Sequence, residues 1–330
     1  MIRLFTDTSA NLPLEIIRKE NIEVLSFSYT LNGVPAEYSE DTDFDGAWFY
    51  GLMRKGVEVK TSLVNVEQFK EAFEKEIKLG NEVLYVGMSG GISGTANAAR
   101  IAIEELKEEY PNCTIAAIDT YAASTGEGLQ VIKAASLIKE GKSFEEVLEI
   151  INNERSCMYQ IFTVDDLQYL KKGGRISGAT ALIGNILNIK PILTNDSEGH
   201  IVLDSKVRGS KAALKDLADR YDRLCEDKSL TISIAHADNT DGLEYLVHLL
   251  RERGFTGDCL DVMYEPVTGS HVGPGAVALF FYGIDKSKAV CYNTSQAESF
   301  NARLVSQIEN VVKKVHKTDI TSKNVSDSLQ

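Results

Sequence analysis

The chain is poor in residues that staple, chelate or anchor. Its five cysteines, Cys113, Cys157, Cys225, Cys259 and Cys291, are odd in number, widely scattered and free of any C-x-x-C pair. That spacing argues against a disulfide framework and predicts reduced, mostly buried thiols in a cytoplasmic protein. The five histidines, His200, His236, His248, His271 and His316, include no i, i+4 pair and no cluster with cysteine, so neither a metal nor a cofactor is expected. Basic residues are outnumbered: 35 Lys and Arg face 48 Asp and Glu, for a formal net charge of −13. A nucleic-acid partner is therefore disfavoured, because a phosphate backbone demands a basic face. No window approaches the ~18 uncharged apolar residues of a membrane span. The opening stretch MIRLFTDTSANLP lacks the apolar core of a signal peptide. No integral membrane segment is expected.

What is present is an ordinary globular balance, 43% hydrophobic and 25% charged over 330 residues, with room for two domains and a sizeable core. Apolar runs at 2–6, 24–29, 83–86 and 114–118 read as strands. Val66, Phe69, Phe73 and Ile77 recur at helical spacing, and helical patterns also cover 96–110, 126–139 and 144–155. Strand–loop–helix repetition predicts an α/β domain over 1–155, a parallel sheet flanked by helices. From residue 156 the pattern changes. A hairpin arm at 201–207, helices at 211–225 and 242–253, a strand at 231–235 and two later apolar runs predict an α+β domain over 156–285. Residues 286–330 read as a helical extension, with Phe300, Leu304, Ile308, Val311 and Val315 on one face, and a polar, disordered tail over 318–330.

Ligands of open parallel sheets bind beyond the carboxyl ends of the strands. The residues there are Asp7-Thr8-Ser9, Lys60-Thr61-Ser62, the stretch Met88–Thr95 (MSGGISGT), and Asp119-Thr120 with Ser124. Four loops thus bring hydroxyls to one rim if their strands share one sheet. Helix capping accounts for Ser9, Ser62 or Ser124 taken singly. Ser93 and Thr61 stand apart, because a glycine-rich backbone at a helix N-terminus is an anion site. A nucleophile elbow needs G-x-S-x-G, and Gly91-Ile92-Ser93-Gly94-Thr95 fails at its last position. A serine hydrolase acting on a small acyl ester through Ser93, with His271 as base, remains the alternative reading. Phosphate-loop patterns are absent, and the loop holds no Lys or Arg. A carboxylate held by neutral donors and helix amides fits best. His271 lies in the glycine-rich Ser270-His271-Val272-Gly273-Pro274-Gly275-Ala276, read as a loop able to reach a site. The basic turn Lys171-Lys172-Gly173-Gly174-Arg175 precedes a charge-free run over 176–189, which serves either as core or as the wall of an apolar pocket.

Asp7-Thr8-Ser9-Ala10-Asn11-Leu12-Pro13, Thr61-Ser62, Ile92-Ser93-Gly94-Thr95, Asp119-Thr120 with Ser124, Phe162 through Asp166-Leu167 to Tyr169-Leu170, and Lys172-Gly173-Gly174-Arg175-Ile176-Ser177 follow in order. Lys190-Pro191-Ile192-Leu193, Arg208 and His271-Val272-Gly273-Pro274-Gly275-Ala276 complete the series. In that order and spacing the chain resembles the DegV family of bacterial fatty-acid-binding proteins, over about residues 2–283. The resemblance implies two domains with one long-chain fatty acid between them, carboxylate at the mouth and chain in an apolar tunnel. By the same resemblance Thr61, Ser62, Ser93 and His271 bind the carboxylate, and Gly94, Thr95 and Ser124 belong to the mouth loops. It further implies a non-catalytic carrier in fatty acid metabolism, which presents its ligand to a fatty acid kinase for acyl-phosphate formation. Arg175 and Arg208 match positions that dock that kinase. The energetics suit a lipid: neutral hydrogen bonds contribute about 0.5–1.5 kcal/mol each, whereas burying some fifteen methylenes contributes ~12 kcal/mol gross.

Overall fold

The computed structural model describes residues 1–36, 38, 44–176 and 188–286. Strand β1 (Ile2–Asp7) leads through α1 (Leu14–Glu20) to β2 (Glu23–Leu25). A small antiparallel sheet then interrupts, with β3 (Ser28–Leu31), β4 (Val34–Ala36) and, after α2 (Gly46–Arg54), β5 (Val59–Ser62). The parallel pattern resumes with α3 (Val66–Lys78), β6 (Glu82–Gly87), α4 (Thr95–Glu109) and β7 (Ile115–Asp119), followed by α5 (Thr125–Lys139) and α6 (Phe144–Glu154). Neighbours in the sheet β2-β1-β6-β7 are all parallel. Its strands are apolar on both faces of the pleat, as strands between two helical layers must be. Leu84 and Val86 pack with Val131 and Ile151 on one side; Val83 and Tyr85 pack with Phe69, Phe73 and Leu106 on the other.

A second sheet is built from strands that begin at Met158 and end at Tyr282. Its elements are β8 (Met158–Thr163), α7 (Gln168–Gly173), β9 (Ile189–Asn195), β10 (Ile201–Arg208) and α8 (Ser210–Leu224). They continue with β11 (Ile232–His236), α9 (Thr240–Glu252), β12 (Cys259–Met263), α10 (Pro266–Val272) and β13 (Val277–Tyr282). The order is β10-β9-β8-β13-β11-β12, antiparallel except for β11 beside β12. Alternation in β13 decides its two faces. Leu279 and Phe281 lie under Leu217, Tyr221 and Leu246 of the outer helices, while Ala278 and Phe280 join Phe49 and Tyr50 of α2 and Leu129 of α5. Helix α5 therefore packs on both sheets, which explains why its apolar residues form no narrow stripe.

Residues 1–283 form one compact unit. The expected helix through Phe300–315, the expected tail, and residues 177–187 of the charge-free run lie outside the described residues. Three expectations need correction. The run 24–29 is not one strand: the chain leaves the parallel sheet after Leu25 and enters the antiparallel one at Ser28, pinned between them by the Phe27 amide donating to Thr8 Oγ1 at 3.1 Å. Thr61 and Ser62 end β5 of that antiparallel sheet, so the four hydroxyl loops do not share one sheet. Of the four described cysteines, all free, only Cys225 is buried. Among the described residues no helix is long and apolar enough to cross a membrane.

Candidate ligand-binding site

A cavity of about 520 Å³ opens beside the carboxyl edge of the parallel sheet, with walls from α7, α10, β5 and the inner face of the second sheet. Thr61, Ser62, Ser93, Gly94, Ser124, Arg175 and His271 all border it. Two expected residues do not. Thr95 stands one layer back, fully buried, with its hydroxyl 2.8 Å from Ser93 Oγ. Arg208 is exposed at the end of β10.

His271 is not in a loop. Glu265 caps and Pro266 opens α10, a start signal that the glycines nearby obscure, and His271 falls in its last turn. From there its Nε2 lies 2.9 Å from Thr61 Oγ1, joining residues 210 positions apart. Burial, with help from the Arg175 charge, pushes the imidazole down to about 4, so it is neutral near pH 7. The other ring nitrogen faces Gly173, where a Cβ would stand 2.4 Å from Nδ1. Gly173→Ala is accordingly expected to displace the imidazole and weaken ligand binding roughly tenfold, the scale of one lost charge-assisted hydrogen bond; a titration with labelled ligand checks it. Arg175 was expected on a docking surface, yet it borders the cavity. Its Nε donates to Ile92 O at 3.2 Å and its guanidinium also reaches Gly173 O. A cation absent from the glycine loop thus arrives from the second half of the chain.

The hydrolase constellation is not assembled. Ser93 Oγ pairs with Thr95 and His271 Nε2 with Thr61, and among the described residues no carboxylate bonds His271 Nδ1. A triad needs serine on imidazole and imidazole on acid.

The glycines of MSGGISGT serve close packing. The Gly90 amide donates to Asp119 Oδ2 at 2.9 Å, and Ser89 Oγ donates to Gly199 O at 3.1 Å in the β9–β10 turn. A Cβ on Gly91 would stand 2.8 Å from backbone atoms of Glu198, Gly199 and His200. This loop is docked against the second sheet's hairpin, which sets where Ser93 and Gly94 present themselves at the start of α4.

A family model described as uncharacterised protein, DegV family, matches residues 1–283. The chain belongs to the DegV family. A DegV domain-containing protein of Clostridium perfringens is 37% identical over 284 residues, covering 86% of this chain and 98% of its own length. Among solved structures, a fatty-acid-binding DegV family protein from Streptococcus agalactiae aligns with TM-score 0.77 and 34% identity, over 86% of this chain and 99% of that one. A DegV family protein from Thermus thermophilus, described by its fatty acid binding, aligns with TM-score 0.77 and 28% identity over the same shares.

In this DegV chain the rest of the cavity wall is largely apolar, with Phe27, Met88, Ile92, Phe162, Leu170 and Phe280. Among its polar members, which include Asn65, Gln160 and Thr268, Ser124 stands apart. It holds φ 52°, occupies the N-cap position of α5 without capping it, and its buried Oγ has no hydrogen-bond partner. Its neighbours are fixed by the second sheet: the Ala123 amide donates to Gln160 Oε1 at 3.2 Å, and Gly126 abuts Phe280. Sequence reasoning found Ser124 but missed Phe27 and Leu170, whose apolar character alone does not separate cavity wall from core.

Proposed function

We propose that the chain holds one long-chain fatty acid between a domain of residues 1–155 and a domain of residues 156–285. Its carboxylate is received by Thr61, Ser62, Ser93 and His271, with Arg175 supplying charge, while the acyl chain lies along the phenylalanine-lined wall. The observation that carries this reading is the joining of Thr61 to His271 in a cavity whose wall also presents Phe27, Met88, Ile92, Phe162, Leu170 and Phe280. The fatty acid binding described for the Streptococcus agalactiae and Thermus thermophilus relatives supports it. The protein is then a cytoplasmic, non-catalytic carrier that presents the carboxylate to a fatty acid kinase, with Arg208 on the docking surface and Arg175 at the mouth itself.

Mass spectrometry of lipid extracted from the purified protein tests the first part, with one equivalent of fatty acid expected; protein that is empty and takes up none sinks the reading. Thr61→Val with Ser93→Ala is expected to weaken binding on the order of 10- to 100-fold without abolishing it, since hydrogen bonds to a charged head contribute less than the buried chain. The kinase step is tested separately: Arg208→Glu should slow acyl-phosphate formation while leaving fatty acid affinity unchanged.

A further inference from the structure

Asp7, Glu127 and Glu265 are carboxyl groups with no exposed surface, and none borders the cavity. Asn11, in the motif that follows β1, does not border it either. Isolated acids are costly to bury, so their partners say what holds them there. Glu265 caps α10: its carboxylate accepts from the Val267 amide, the Thr268 amide and Thr268 Oγ1. Asn11 reaches the same place from the first sheet. Its Nδ2 donates to Met263 O at 3.0 Å, and its Oδ1 accepts from the Glu265 amide at 2.7 Å. Asn11 sits at φ 55°, a left-handed conformation that asparagine tolerates better than most residues. Tyr50 Oη donates to Tyr264 O at 2.7 Å. The backbone of Met263, Tyr264 and Glu265 is thus held at three consecutive points just before α10 begins.

Helix α10 has seven residues and includes Gly269. A helix so short is marginal by propensity alone, so its ends decide whether and where it forms. Its last turn carries His271, about 9 Å along the axis from Glu265 at helical rise. We infer that Asn11 and Glu265 are positioning residues for His271, fixing the start and the cap of α10 so that the imidazole meets Thr61 at the cavity rim. This deepens the proposed function and rests on it for the ligand readout.

Among the described residues, the groups bearing on Glu265 include Asp7 from the end of β1, Glu127 from α5, Tyr50 from α2, Tyr29 from β3 and its neighbour Tyr264, acids and phenols throughout. Burial first, and then Asp7, push the Glu265 carboxyl up to about 7. Above that value the carboxylate accepts all three hydrogen bonds; below it, a protonated oxygen gives one up and the cap weakens. His271 titrates lower, at about 4.

The experiment compares Asn11→Ala and Glu265→Gln in the full chain with His271 intact and in a His271→Ala background, reading affinity for a fluorescent long-chain fatty acid. Each substitution is expected to weaken binding about tenfold when His271 is present and less than twofold when it is absent, with Glu265→Asp restoring most of the loss. Affinity of the parent should fall severalfold from pH 8 to pH 6, and Glu265→Gln should flatten that profile. Equal losses in both backgrounds, or no loss in either, overturn the inference. A second readout needs no ligand: the 15N-labelled His271 imidazole signals of the free protein should move in Glu265→Gln, and unmoved signals overturn it. If the parent binds no fatty acid, the carrier reading fails, and the imidazole signals alone decide the positioning role.

Discussion

Gly91→Ala is expected to lower the melting temperature by several degrees and to weaken ligand binding in the same variant. The backbone at Gly91 is not in the left-handed region, so the cost is one of space and not of conformation. An added Cβ meets Glu198 O, Gly199 C and His200 N, each at 2.8 Å, and backbone cannot yield as a flexible side chain does. Overpacking of this kind costs about 1–3 kcal/mol, or roughly 2–5 °C for a unit of this size. The relief available is separation of the glycine loop from the β9–β10 turn, which also strains the Ser89 to Gly199 hydrogen bond. Since that loop leads directly into Ser93, displacement there reaches the cavity. Gly94→Ala is the control for stability, because its Cβ would meet only Leu63 Cδ2, at 3.1 Å. Thermal unfolding of the two variants side by side checks the claim; equal melting temperatures would mean that the close approach is not limiting.

Stability is expected to fall as pH rises from about 6.5 to 8, above the range in which the buried histidines oppose the trend. The cause is the buried acid cluster. Ser9 Oγ lies against both Asp7 Oδ1 and Glu127 Oε2, the latter at 2.8 Å, and has one proton to donate. Both contacts are hydrogen bonds only if one carboxyl is itself protonated. Burial raises Asp7 above its ordinary value despite bonds from Ser9 and Tyr85; burial and then Asp7 raise Glu127 well above; Glu265 stands at about 7. A carboxyl whose affinity for protons is higher in the folded state stabilises the fold below its unfolded value and loses that contribution as pH rises through its folded value. For Glu265 the window runs from 4.5 to about 7, which at about 1.4 kcal/mol per tenfold change in proton affinity corresponds to about 3 kcal/mol. Glu74, Glu146, Asp196 and Asp227 are held low and titrate beneath that window, whereas burial holds His271 and His236 below 6.5, so they add stability as pH rises to that value and the fall is read above it. Glu127→Gln removes one competing charge and should reduce the slope. Unfolding temperatures across the range check it; a flat or rising profile would refute the protonated cluster.

Elements whose apolar pattern is local were legible in the sequence. The run EVLYVG became β6, and the spacing of Val66, Phe69, Phe73 and Ile77 became α3 with little change of boundary. Helix α10 was not legible, because Gly269 and Gly273 look like a loop when Glu265 and its buried partners are unseen. Nor was the break between Leu25 and Ser28, where a change of sheet leaves the apolar run unbroken. The site shows the same division. Hydroxyls beside a glycine-rich helix start pointed to Ser93, Ser124 came into the site only through the family resemblance, and the place of Arg175 in the cavity wall depends on α7 being packed beside α10.

Sequence alone determined the family, the strand–helix order of the first half and most of the residues that border the cavity, since order, periodicity and residue type are properties of the chain read in line. Tertiary structure alone decided that Thr61 reaches His271 across 210 positions, that Asn11 and Glu265 hold the helix bearing that histidine, and that the glycines of MSGGISGT admit a hairpin from the second sheet. Those are contacts between distant segments, and their energies depend on shape and burial that no local pattern encodes.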